Sequence, residues 1–208
     1  MSWIFGRKKE QEREIATAAS EVFSSPGMAI VSERLLRRPG SAVLELGAPS
    51  TESLAFLAKN GHDVEVVDLY HSSLPARASS PRGLLPPASQ LPLPDGEARF
   101  EVILMWDLLH YLDPADRRPF GARLAALAKP GAMVFALAAS SREIPAAPIH
   151  FRIEAADRLR YAGLGSGEKL PPPRLGARDV EQAMQAFSAE RIFQLRNGFQ
   201  EIVLERNS

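Results

Sequence analysis

The sequence predicts a three-layer α/β fold, with a mainly parallel sheet carrying helices on both faces. Three observations predict it. Short apolar runs alternate with amphipathic segments along most of the 208 residues, the order expected when each strand hands over to a covering helix. The links between the clearest runs are short, so strand, helix and next strand form a right-handed parallel unit. Near the C-terminus, Arg196-Asn197-Gly198 separates two strand-like runs. Asn-Gly there predicts a type I′ hairpin, because both central residues of that turn need positive φ.

Taken in order, Ser41 to Leu46 (SAVLEL) reads as a buried strand. TESLAFLAKNG follows as a helix, with Leu54, Leu57 and Ala58 on one face, Ser50 or Thr51 as its cap and Asn60-Gly61 as its stop. Asp63 to Tyr70 (DVEVVDLY) is the second strand. From His71 to Ala98 the chain carries Pro75, Pro81, Pro86, Pro87, Pro92 and Pro94, too many missing N–H donors for a central strand. This stretch reads as loop, with a short edge strand allowed at Gly83 to Leu85. FEVILMW (Phe100 to Trp106) is a buried strand, and Pro114 to Ala128 a helix stopped by Lys129-Pro130-Gly131. Ala132 to Ser140 is another strand. Residues 141–178 contain Pro171 to Pro173 and Gly163, Gly165 and Gly167. They read as an excursion: a lid, a partner-binding loop or an exposed detour. ERIFQL and FQEIVLER close the chain as the hairpin.

Length fits one domain, read as residues 27–208 behind an N-terminal segment 1–26. Twenty-five basic and 25 acidic residues balance, so no basic footprint for nucleic acid stands out. The absence of cysteine excludes disulfides and thiolate chemistry. His62, His71, His110 and His150 have no metal-ligand spacing, so no metal is expected. No apolar run reaches the roughly 20 residues that span a bilayer, and a cytoplasmic location is the expectation. Trp3, Ile4 and Phe5 precede Arg7, Lys8 and Lys9. They suit weak contact with an anionic membrane or a partner groove, or else they fold back on the domain.

The segments VLELG, EVVDLY, LPLPDGEARFEVILMWDLLHYL, LAALAKPGAMVFAL and the closing hairpin, in this order, resemble the class I S-adenosylmethionine-dependent methyltransferases. The resemblance spans about Ala29 to Arg206. It implies a Rossmann-like methyltransferase fold: a seven-stranded, mainly parallel sheet with a C-terminal antiparallel hairpin. It also implies S-adenosylmethionine as cofactor and a small-molecule or protein methyl acceptor that the sequence does not name.

Glu45 and Gly47 match the start of the family's glycine motif, while Pro49 and Thr51 stand where later glycines are usual. Gly47 supplies the tight turn with backbone close to a ligand. Pro49 cannot donate an N–H. Ser50 and Thr51 can donate to a ligand carboxylate, or can serve as a plain helix cap. The implied cofactor set is Glu45, Gly47, Ala48, Pro49, Ser50, Asp68, Leu69 and Trp106. Asp68, about 20 residues beyond Gly47, suits ribose hydroxyls or else caps a turn. The family's adenine-side acid is replaced by Pro87 and Ala88, with Ser89 or Gln90 as substitutes. Trp106 either borders the ligand or packs beneath a helix. Asp107 and His110 are the catalytic candidates, to take a proton from an O or N acceptor, although a His in the WDLLHYL context is more often a packing residue at a helix start. The divergent loop leaves a second expectation: a catalytically inactive methyltransferase-fold scaffold that binds a protein partner.

Overall fold

The computed structural model describes residues 20–48, 50–69, 85–139, 144–145, 149–162, 169–170 and 175–208. Trp3, Ile4, Phe5, Pro49, Tyr70, residues 71–84 of the proline-rich loop, and the glycine and proline clusters of the 141–178 excursion lie outside the described residues.

The main sheet has six described strands in the order β10-β11-β5-β4-β2-β3. They are β2 (Ala42–Glu45), β3 (Asp63–Val66), β4 (Phe100–Trp106), β5 (Ala128–Ala139), β10 (Phe187–Gln194) and β11 (Phe199–Arg206). β3, β2, β4 and β5 are parallel, and β11 and β10 follow as an antiparallel pair. The resemblance implies seven strands. Among the described residues of the 71–98 stretch there is a 3-10 turn, Ala88–Gln90, and no strand. Residues 102–106 and 132–139 are buried throughout, which explains their unbroken apolar runs.

Helix α1 (Pro26–Arg37) starts at Ser25, whose Oγ accepts from the Met28 amide at 3.1 Å. It buries Met28, Val31, Ser32 and Leu35, one stripe at helical spacing. The Gly27 amide donates to Glu201 Oε2 on β11 at 2.7 Å. A Cβ at Gly27 would lie 2.9 Å from the Phe135 ring, so helix and sheet meet there at backbone distance. Helix α2 (Thr51–Lys59) is capped by Ser50 and ends before Gly61, whose φ is +75°. Its buried residues are Ser53 and Leu57. Ala58, expected on the buried face, is exposed and Leu54 is half-buried. The reason is a cover over the helix start, described below, that turns Ser53 inward. Helix α3 (Pro114–Leu127) begins at Asp113, which accepts from Ala115. Helix α4 (Ala177–Ala183) packs so tightly on α3 that a Cβ at Gly121 would lie 2.1 Å from the Ala183 carbonyl.

Three local expectations are corrected. β3 ends at Val66: the Val67 amide still bonds the Glu45 carbonyl at 2.8 Å, and the chain then leaves the ladder well before Tyr70. The closing hairpin is not type I′: among the described residues Trp106 alone has positive φ without being glycine. Leu195 N donates to Phe199 O at 2.8 Å, and Gly198 takes φ +91° as third residue of a three-residue loop. The segment before residue 26 is not wholly outside the domain. β1 (Ser20–Ser24) pairs with β8 (Arg158–Ala162), which pairs with β7 (His150–Ala155) in a three-stranded antiparallel sheet. Two residue pairs, β6 (Ile144–Pro145) and β9 (Lys169–Leu170), form a further short ladder. The described part of the 141–178 excursion is thus largely β structure.

Candidate functional site

β2 leads through α2 to β3, and β4 leads through α3 to β5, in opposite directions along the sheet. The order reverses between neighbours β2 and β4. Ligands of such sheets bind in the crevice outside the carboxyl ends at that reversal. Glu45 ends β2 and Trp106 ends β4, so the fold brings both to its expected site.

Glu45 is buried. Its Oε1 accepts from the Gly47 amide at 3.0 Å and from Trp106 Nε1. Its Oε2 is buried with no hydrogen-bond partner. Burial disfavours the charged form and pushes the carboxyl up to about 7, against the opposing pull of the two donors.

Trp106 has φ +53°, a left-handed conformation unusual for a bulky residue. The pairing of β4 with β5 is irregular between Leu104 and Trp106, and this re-aims the side chain. The indole lies parallel to Phe151 of β7, centroids 5.4 Å apart and planes 7° apart, and meets Phe135 edge-on at 5.7 Å. A Cβ at Gly47 would sit 2.8 Å from Trp106 Cδ1. Gly47 does allow a close approach, as its position in the motif predicts, but the approaching group here is the indole. The unpartnered Oε2 fits a donor-rich ligand, and in this conformation the indole occupies the space directly against Gly47.

The other candidates divide. Leu69 is fully buried, Ala48 and Asp68 are half-buried, and Asp68 follows the end of β3 by two residues. Ser50 spends its hydroxyl on the cap: it accepts from Ser53 N and donates to Glu52 Oε2, both at 3.1 Å. Thr51, Ser89 and Gln90 are exposed. Asp107 is buried, and its carbonyl accepts from the His110 amide at 3.0 Å.

His110 is not placed as a base. Nε2 accepts from the Ala139 amide at 2.8 Å, and Nδ1 lies 2.9 Å from the Asp107 carbonyl. A carbonyl only accepts, so Nδ1 carries the proton and the ring is neutral. Burial lowers its pKa to about 4. His110 is a strut joining the ends of β4 and β5, with neither nitrogen offered to a substrate.

Sequence reasoning missed the cover. The Ile153 amide donates to Ser53 Oγ at 2.9 Å, and Arg152 pairs with Glu52 at 3.2 Å. These contacts set β7 across the start of α2 and put Phe151 over Trp106. Phe151, Tyr161 and Phe199 form an aromatic cluster with centroids 6.1–6.3 Å apart. The signal was available: Phe151 and Ile153, then Leu159 and Tyr161, alternate as half-buried strands do. Beyond the cluster, a cavity of about 460 Å³ opens between β1 and the closing hairpin, lined by Glu21, Phe23, Gln194 and Arg196 among others. The Tyr161 hydroxyl donates to Glu21 at 2.8 Å. Among the described residues no three His, Asp or Glu side chains could hold a metal ion, and no helix is long and apolar enough to cross a membrane.

No protein-family model and no curated protein matches the sequence. Solved structures do match in shape. A 1,6-didemethyltoxoflavin-N1-methyltransferase of Burkholderia thailandensis, with bound 1,6-didemethyltoxoflavin and S-adenosylhomocysteine, is 22% identical with a TM-score of 0.53. The match covers 98% of this chain and 86% of that one. A TehB-like SAM-dependent methyltransferase of Corynebacterium glutamicum is 16% identical over 97% of both chains, TM-score 0.55. A SAM-dependent methyltransferase of Methanosarcina mazei is 16% identical over 82% of this chain and 94% of that one, TM-score 0.50. The strand order, with its reversal beside Glu45 and Trp106, agrees with these likenesses, and the chain has the α/β Rossmann-like fold of the class I S-adenosylmethionine-dependent methyltransferases.

Proposed function

We propose that the chain is an S-adenosylmethionine-dependent methyltransferase, acting on a small-molecule or protein acceptor. One observation supports this most: a buried carboxylate at the reversal point of a methyltransferase-type sheet retains an oxygen without a partner. Glu45 Oε2 suits an ammonium donor such as the amino-acid end of the cofactor, and Asp68 suits ribose hydroxyls. Asp107 is the remaining candidate for orienting the acceptor. Calorimetric titration with S-adenosylmethionine and S-adenosylhomocysteine tests the reading. Binding is expected, and Asp68→Ala should weaken it about tenfold or more, the loss of one or two hydrogen bonds to a charged group. A flat titration of folded protein counts against it.

A second reading is a catalytically inactive scaffold that binds a protein partner. The observation in its favour is the chain's own indole above Gly47. On that reading no adenosyl compound binds whatever is done to Trp106.

A further inference from the structure

Glu45 and Trp106 form a pair that satisfies neither residue fully. A carboxylate offers two oxygens and about four acceptor positions, while an indole brings a single N–H. Here Oε1 takes both available donors and Oε2 takes none. The indole reaches this place from a backbone conformation that bulky L-residues rarely adopt. Such conformations persist where surroundings over-determine them, and the surroundings are legible. Phe151 presses on one face of the ring, Phe135 on its edge, and Gly47 leaves room on its other side. Phe151 belongs to the smaller sheet rather than the main one, and two polar contacts, Ser53 with Ile153 and Glu52 with Arg152, fasten its strand to α2.

We propose that Trp106 is a gate: its indole N–H holds Glu45 in place of a ligand's donor, its ring covers Gly47, and it leaves from beneath Phe151 when an adenosyl ligand enters. This rests on the cofactor reading above. It adds that the closed state is an alternative occupant of the same crevice, so ligand and indole compete for one carboxylate and one glycine. A protein whose competent state is a minor one binds with its affinity reduced by that fraction. Removing the indole therefore raises affinity, unlike the usual loss on truncating a site residue.

The chain has two tryptophans, Trp3 and Trp106, so Trp3→Phe leaves Trp106 as sole indole reporter. In that background, S-adenosylhomocysteine is titrated by calorimetry and by tryptophan emission. The expected result is binding accompanied by a shift of emission to longer wavelength as the ring leaves the core. Trp106→Ala is expected to bind about tenfold more tightly, as for a closed state favoured about ten to one. Trp106→Phe, which loses the N–H and keeps the ring, should fall between. If Trp106→Ala does not melt cooperatively, Phe151→Ala takes its place, since it releases the ring without altering it, and a gain in affinity is again expected. Binding with unchanged emission and equal affinity in parent and variants overturns the gate and leaves the cofactor reading standing. No binding by the folded parent or by any folded variant removes the cofactor reading, and the gate with it.

Discussion

Glu45 and His110 lie in the same buried region and respond to pH with opposite sign. The folded state raises Glu45 from an ordinary 4.5 to about 7, so it holds a proton that the unfolded chain releases. The Glu45 contribution is therefore full below pH 4.5 and is lost as pH rises to about 7. His110 is lowered from an ordinary 6.5 to about 4, so its contribution is full above pH 6.5 and is lost as pH falls to about 4. The two slopes oppose each other in the shared window and mask one another in the parent protein. Glu45→Gln removes one of them. Relative to the parent, this variant should gain on the order of 3 kcal/mol between pH 4.5 and 7, read from denaturant melts at both ends of the range. A difference independent of pH would contradict the buried state of Glu45. At this scale the sequence was informative about position more than partner. Gly47 marked the end of β2, and Glu45 was visible as an acid closing an apolar run, while β3 stops two residues short of Asp68. What could not be read was that Trp106 would turn back on Gly47, because that depends on an irregular pairing between β4 and β5. Nor could it be read that His110 would find the Ala139 amide, 29 residues away.

Among the elements, those carried by hydrophobic periodicity and caps were legible. Helix α2 begins and ends where Ser50 and Gly61 place it, and helix α3 follows its proline. The hairpin was legible in position but not in turn type, because Asn-Gly also fits a longer loop whose third residue is the glycine. The cover formed by β1, β8 and β7 was not read. Its strands are short, and one lies before the helix that opens the domain, so its partner is about 140 residues distant. That cover depends on specific polar fastening. Ser53→Ala would leave the buried Ile153 amide without its acceptor, at a cost of about 1–3 kcal/mol. Amide exchange should quicken across 150–155 and stay slow in β4 and β5. Equal protection in both proteins would show that aromatic packing alone holds the cover.

For the molecule as a whole, Trp106 joins two sheets: it bonds Glu45 of the larger and stacks on Phe151 of the smaller. If the two sheets form one cooperative unit, Trp106 emission in the Trp3→Phe background and far-ultraviolet circular dichroism should give coincident urea transitions. An earlier transition by emission would show that the smaller sheet detaches first. The overall α/β class was readable because the inner parallel strands β2, β4 and β5 are largely buried on both faces and so appear as apolar runs, whereas β3, at the edge, is only partly buried and alternates.

The Glu201 carboxylate fastens the Gly27 amide across 174 residues of chain. It sits on β11, the last strand in the order of synthesis, and β11 also separates β5 from β10. During translation the Gly27 amide of α1 must therefore wait for its acceptor until β11 has left the ribosome, while the Ser25 cap can form at once. Premature termination before β11 would cost the newborn protein both an interior strand and the sheet anchor of α1, making such fragments natural clients for chaperones and proteases.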